Sequence, residues 1–184
     1  MLELTLKWPN VSHTVQAVSQ KLHRLWRRLA IPLAVAAVVF FGLALYWSIR
    51  PALFDVREVA LRQSGGDPTK LVPGAVTTAT LVEVTTTLLE KRGGFLSNDI
   101  NPVSLWLDNM PHWEFGALVQ VRDFARVLRN DFARSQSQSK EDLDLAIADP
   151  QLRFNKESWI FPTTEGRYRV GIEALKRKRS INPI

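Results

Sequence analysis

An uninterrupted apolar run over residues 31–49, IPLAVAAVVFFGLALYWSI, dominates the pattern of this chain. Its 19 residues would form a helix of about 28 Å, which matches the hydrocarbon thickness of a bilayer. The run is longer than the apolar core of a cleavable signal peptide, and it ends in aromatic residues rather than a small-residue cleavage motif. We therefore predict a retained transmembrane signal anchor over residues 29–50, marked by Ile31, Phe40, Phe41, Tyr46 and Trp47. A buried core helix of a soluble protein is the alternative.

A second periodic pattern precedes the anchor, where apolar residues recur at three- and four-residue spacing and predict an amphipathic helix. Its apolar stripe comprises Val11, Val15, Val18, Leu22, Leu25 and Leu29. Lysine and arginine residues on its other face suit an anionic membrane surface. Residues 1–28 are thus predicted to be a basic amphipathic segment that either orients the anchor or docks on a partner's membrane helix.

Downstream of the anchor, residues 51–76 combine a short helical pattern with a Gly- and Pro-rich linker, and residues 77–184 are predicted to form a helical domain. The fold class is therefore mainly α: a single transmembrane helix followed by a small helical extramembrane domain with long packed loops. Residues 140–148 predict a short helix that ends at Asp149 and Pro150, and residues 135–139 predict a polar loop or a solvated helix extension. A minor hairpin is considered over residues 152–161, and residues 159–161 are expected to cover the core.

The basic residues next to the anchor predict its orientation, because Lys and Arg are retained on the cytoplasmic side. Residues 1–28 carry five basic residues and one acidic residue, which places the N-terminus in the cytoplasm and the domain outside, in a bacterium the periplasm. Much of the remaining excess in the net charge of +6 lies in residues 176–179. No broad basic face for nucleic acid is therefore predicted.

Candidate chemistry is sparse in this sequence. Cysteine is absent, which excludes disulfides, thiolate metal sites and cysteine nucleophiles. Of the three histidines only His112 follows the anchor, and no nucleophile elbow surrounds Ser97 or Ser104. The glycine pairs lack the lysine or the spacing of a phosphate-binding loop. No catalytic residue, cofactor or metal site is therefore predicted, and enzymatic activity is not expected.

One stretch nevertheless concentrates carboxylates, amides, aromatic residues and arginines. Its carboxylates would serve as acids or ligands only if they converged in a cleft, and its aromatic residues are typical both of interfaces and of small cores. Its arginines also have the spacing of an intrahelical salt-bridge network. The candidate partner or ligand contacts are Asn98, Asp99, Trp106, Asp108, Trp113, Glu114, Arg122 and Arg126.

Long motifs in this chain resemble a known family. They are PALFDV after the anchor, TTATL, GGFLSNDI, and WLDNMPHWEFGALVQVRDFARVLRNDFARSQSQS. A later SW.FP.TE..YR pattern comprises Ser158, Trp159, Phe161, Pro162, Thr164, Glu165, Tyr168 and Arg169. Over roughly residues 46–175 the chain is similar to an uncharacterised proteobacterial inner-membrane family, catalogued as domain of unknown function 2333. The resemblance implies a Gram-negative inner membrane and brings no known activity. Members of the family usually continue for a further helical region, so the chain is expected to be a truncated member.

Two functions are compatible with these observations. The first is a non-catalytic accessory or scaffolding subunit of an inner-membrane complex, whose partners are the lipid bilayer and a larger membrane assembly. An apolar surface left by truncation would have to be covered by such a partner or by another copy of the chain. The second is an independent periplasmic envelope-binding or hydrolytic module that uses Asp99, Asp108 or Glu114.

Overall fold

The computed structural model describes residues 11–71, 74–100, 102–132 and 142–181. Within these ranges the chain forms seven α-helices, a 3₁₀ turn and a π turn, and it contains no strand. The prediction of a mainly α fold is confirmed. The chain divides into two compact units, of which the first ends at Leu43 and the second begins at Ala44. We call the second unit the body.

Helix α1 (Val11–Ser48) contains the predicted anchor, and it passes through Pro32 without interruption. Its portion Ser19–Ser48 is long and apolar enough to cross a membrane, with a mean hydropathy of 2.4. Only 6% of its most apolar window is buried within the protein, whereas a core helix of a soluble protein is mostly buried. This helix is therefore a candidate membrane anchor or signal sequence. Residues 1–10 of the predicted basic segment lie outside the described residues.

Two helices form the first layer of the body. Helix α2 (Val56–Gln63) begins at Asp55, whose side chain accepts a hydrogen bond of 2.8 Å from the Glu58 amide and so satisfies a free donor of the first turn. A 3₁₀ turn (Pro68–Lys70) leads to helix α3 (Ala75–Glu90). The two helices bury a small cluster against each other, formed by Val59, Ala60 and Ala79.

After α3 the chain forms a short helix, α4 (Pro102–Trp106). It is followed by α5 (Asn109–Val127), which continues into a π turn (Leu128–Phe132). Residues 135–139, predicted as a polar loop or helix extension, lie outside the described residues.

Helices α6 (Leu143–Leu152) and α7 (Thr164–Ile181) form an antiparallel pair. Arg177 near the end of α7 contacts Asp144 at the start of α6, at 3.2 Å. Helix α6 was expected to end at Asp149 and Pro150, but it continues to Leu152. Proline in a helix removes a hydrogen bond, and tertiary contacts oppose this loss, since Arg122 Nε donates to the Leu152 carbonyl at 3.1 Å.

The main core lies between α3, α5, α6 and α7. Its completely buried members, at 0% exposure, are Leu88, Leu118, Leu152, Tyr168, Ala174 and Leu175. Helices α5 and α7 each contact both α3 and α6.

Two expectations about residues 152–161 are wrong. No β-hairpin forms there. The Thr164 hydroxyl donates to the carbonyls of Asn155 and Ser158, at 2.8 and 2.9 Å, and these bonds hold the segment in turns. Nor do residues 159–161 cover the core. The side chains of Trp159, Ile160 and Phe161 are exposed.

Replacement of Leu118 by alanine tests the core assignment. We expect Leu118→Ala to lower the free energy of unfolding by about 2–5 kcal/mol, because the cavity cannot be filled by neighbouring helices. The measurement is chemical denaturation of the full chain in mild detergent, followed by circular dichroism. Leu143→Ala is the control, since Leu143 is exposed and should change stability by less than about 0.5 kcal/mol. Equal effects of the two substitutions would contradict the assigned core.

Candidate functional site

The last turn of α1 packs against the loop after α3 and the start of α5. Trp47 lies against Gly93, so closely that a Cβ atom at position 93 would stand 2.9 Å from the Trp47 Cγ. Gly93 also has a φ of +84°, a conformation that L side chains rarely adopt. Asn109 Nδ2 donates to Ser48 Oγ at 2.6 Å, and the Arg92 guanidinium lies 5.6 Å from the centre of the Tyr46 ring. The end of the candidate anchor is therefore part of the domain's own packing.

Behind this contact lies a buried ion pair between α3 and α5. Lys91 Nζ is 2.5 Å from Glu114 Oε1, and the two side chains are 1% and 0% exposed. Glu114 also accepts hydrogen bonds from the Leu96 and Ser97 amides, each at 2.8 Å, and from the Ser97 hydroxyl. Lys91 donates as well to the Gly94 carbonyl. The carboxylate therefore has four donors, which is the degree of pairing that a buried charge requires.

A cleft of 780 Å³ opens beside the same end of the body. One wall is the chain that leaves α1, from Ile49 to Val56, and the other is formed by Val84, Thr87 and Trp113. Apolar atoms make up most of the lining. Such a volume suits a small molecule or a side-chain cluster from another protein.

Two further polar networks connect α5 and the π turn that follows it to α6, α7 and the segment between them. Arg122 donates to the Phe154 carbonyl at 2.7 Å and to the Tyr168 hydroxyl at 3.1 Å. Burial raises the pKa of the Tyr168 hydroxyl, against the opposing charge of Arg122. The second network centres on Asp149, which contacts Arg129 and Arg153. Arg122 and Arg129 thus bind groups on other elements of the body.

Asn98 connects the loop after α3 to the start of α7. Its Nδ2 donates to the Ser158 carbonyl at 3.2 Å and to Glu165 Oε1 at 3.1 Å. Its Oδ1 is buried without a hydrogen-bond partner among the described residues. The residue thus holds the 158–161 turn against the loop that carries the ion pair.

The remaining predicted contacts do not converge on one place. Asp99 is half-buried, and its carbonyl accepts from the Ser104 hydroxyl. Asp108 is exposed and pairs with His112 at 2.9 Å, while Trp106 and Arg126 are also exposed. Among the predicted contacts, the structure gives Asn98, Glu114 and Arg122 structural partners inside the body and places Trp113 in the cleft wall.

Sequence reasoning missed several members of these networks: Lys91, Ser97, Asp149, Glu165 and Tyr168. Lys91 follows α3 directly and is flanked by charged residues, so that its pattern is that of a solvated helix end. The one sequence feature that indicated a buried Lys91 was the pair Gly93 and Gly94, whose positive φ angles reverse the chain directly after it. Among the residues that the structure describes, no three His, Asp or Glu side chains are placed to hold a metal ion.

Comparison with known proteins gave one match. The sequence profile of a family described as "Uncharacterized protein conserved in bacteria (DUF2333)" matches residues 19–181. No curated protein and no solved structure matches the chain.

The buried ion pair predicts strong coupling between its two residues. We expect Glu114→Gln and Lys91→Met each to cost about 3–5 kcal/mol of unfolding free energy, because each leaves a buried charge without its partner. The double variant should cost clearly less than the sum of the two. Denaturation of all three variants in detergent measures the coupling, and Asp108→Asn, at an exposed pair, is the control. Strictly additive losses would show that the two charges do not depend on each other.

The raised pKa of Tyr168 predicts a specific pH dependence. Above the ordinary tyrosine pKa of about 10 the unfolded chain releases the hydroxyl proton while the folded chain retains it, so the stability contributed by this group falls as pH rises. Tyr168→Phe should cost about 1 kcal/mol at neutral pH, from its lost hydrogen bonds. The stability difference between the native chain and this variant should shrink above about pH 10. A difference that stays constant with pH would contradict the assigned environment of Tyr168.

Proposed function

This chain belongs to the DUF2333 family of conserved bacterial proteins, matched over residues 19–181, and we propose that it is a non-catalytic accessory or scaffolding subunit of an inner-membrane protein complex. Helix α1 anchors it, with the N-terminus in the cytoplasm and the body in the periplasm. The basic residues before the span support this orientation.

Retention of α1 is supported by the packing at its end. A signal sequence is cleaved off after export. Cleavage here would remove the contact of Trp47 with Gly93 and the hydrogen bond between Ser48 and Asn109. Gly93 would then leave an unfilled space beside the end of α3. A helix whose last turn completes the body is better suited to anchoring than to cleavage.

The observation that carries the proposed role is the apolar cleft beside the exit of α1. Residues 49–54 line it immediately after the span, so a protein that fills the cleft must itself lie at the bilayer surface. We assign the cleft to an apolar segment of a partner membrane protein. Leu53, which is completely exposed at its edge, is the contact most accessible to that partner.

The hydrolytic alternative receives less support from the carboxylates it would use. Glu114 has four donors in the interior, and Asp108 lies in an exposed pair with His112. Acid–base catalysis by two carboxylates needs both in one cleft. The accessory role requires no such arrangement.

The test is a native pulldown from membranes of the host bacterium in mild detergent, with a tag at the C-terminus. We expect one membrane protein to copurify in a fixed ratio with the native chain and with Leu143→Glu, the control at an exposed apolar position. Leu53→Glu should lose that protein, because a charge at the edge of the cleft is costly to bury.

Recovery of all three forms without a partner would contradict the accessory role. That result would favour the alternative, an independent periplasmic envelope-binding or hydrolytic module. Equal recovery of a partner by the native chain and Leu53→Glu would remove the cleft as its binding site.

A further inference from the structure

Five large apolar side chains are exposed in two short segments of the body: Leu105, Trp106, Trp159, Ile160 and Phe161. Leu105 and Trp106, which end α4, are 73% and 71% exposed, and Ile160 and Phe161 are 69% and 93% exposed. We call these five residues the apolar rim. Scattered exposed apolar residues are normal on proteins, but a concentrated group marks an interaction surface.

The α4 part of the rim lies next to the exit of α1. Asn109 donates to Ser48 Oγ at 2.6 Å, and Trp106 precedes Asn109 by three residues. Three residues span at most about 11 Å. The interfacial layer of a bilayer is about 5–8 Å thick on each side of the hydrocarbon. Trp106 therefore lies no more than about 11 Å along the chain from the residue that binds Ser48 in the last turn of α1.

The 159–161 part lies at the same end of the body. Asn98 holds the Ser158 carbonyl at 3.2 Å, and its neighbour Ser97 contacts Glu114 near the start of α5. Lys156 Nζ also lies 5.6 Å from the centre of the Phe115 ring, one residue beyond Glu114. Both segments of the rim thus flank the first turns of α5, where Ser48 is attached.

The exposure of the rim is fixed by hydrogen bonds in the segment that carries it. Thr164 Oγ1 binds the Ser158 carbonyl, and Ser158 Oγ donates to the Pro162 carbonyl at 2.6 Å. Thr164 itself is fully buried. The turn is therefore held with its apolar tip outward, although an inward tip would bury more apolar surface.

We propose that the apolar rim inserts into the interfacial layer of the same bilayer that α1 crosses, and that it gives the body a second membrane contact beside the anchor. Tryptophan with bulky aliphatic and aromatic neighbours is typical of interfacial insertion. The exposed Arg50 and Arg92 near the exit suit phosphate headgroups. This inference rests on the anchoring role of α1 in the proposed function, but not on the partner complex.

The absence of cysteine permits single labels at chosen positions. Trp106→Cys, Phe161→Cys and two reference variants are labelled with an environment-sensitive fluorophore in the full chain. Each is reconstituted into vesicles of phosphatidylethanolamine and phosphatidylglycerol. The measurement is quenching by phospholipids that carry a nitroxide on the acyl chain, placed near the headgroup for the labels in the body and near the chain end for the reference label in the span.

One reference is Val38→Cys, in the span, which should be quenched strongly. The other is Leu143→Cys, an equally exposed apolar position at the far end of the body, beside the contact of Asp144 with Arg177. We expect the labels at 106 and 161 to be quenched several-fold more than the label at 143 and to emit at shorter wavelength.

Labels at 106 and 161 that behave like the label at 143, while the label at 38 is quenched, would overturn the proposal. The rim would then be free for a protein partner, and the anchor would be unaffected. An unquenched label at position 38 would overturn the anchoring role and the rim proposal together. The two failures are therefore distinguishable.

Discussion

The buried pair of Lys91 and Glu114 is the interaction on which the rest of the body depends. It places one positive and one negative charge in the interior, where neither is stable alone. To satisfy the carboxylate, the amides of Leu96 and Ser97 must point at α5. This requirement fixes the path of the loop after α3, and with it the positions of Gly93 and Asn98 on either side.

Gly93 and Asn98, near the two ends of this loop, each contact a different part of the body. Gly93 lies against Trp47, so the loop also contacts the last turn of α1. Asn98 Nδ2 donates to the Ser158 carbonyl and to Glu165 Oε1, and these bonds position the 158–161 turn. The anchor contact and the exposed turn are thus coupled through a few residues of one loop. A change at the ion pair would disturb both.

The elements with strong periodicity were predictable from the sequence, and the contacts between them were not. The apolar run within α1, the spacing of α5 and the helix after α2 each reflect a local pattern that tertiary contacts reinforce. The continuation of α6 through Pro150 was missed because its support comes from Arg122, 30 residues away from Leu152. The same limit applies to Glu114, which was predicted as a candidate partner or ligand contact, because its partner Lys91 has the sequence context of a solvated residue. The segment 159–161 was assigned to the core because apolar residues are usually buried, and only the hydrogen bonds of Thr164 reverse that expectation.

The outward orientation of residues 159–161 also affects the stability of the body. A small domain with one core gains stability from each apolar side chain it buries, and this one leaves the five side chains of the apolar rim exposed. The body also encloses the charged pair of Lys91 and Glu114, which holds the loop after α3 in place. The exposed apolar side chains of the rim cost free energy in water, and that cost falls if apolar material covers them.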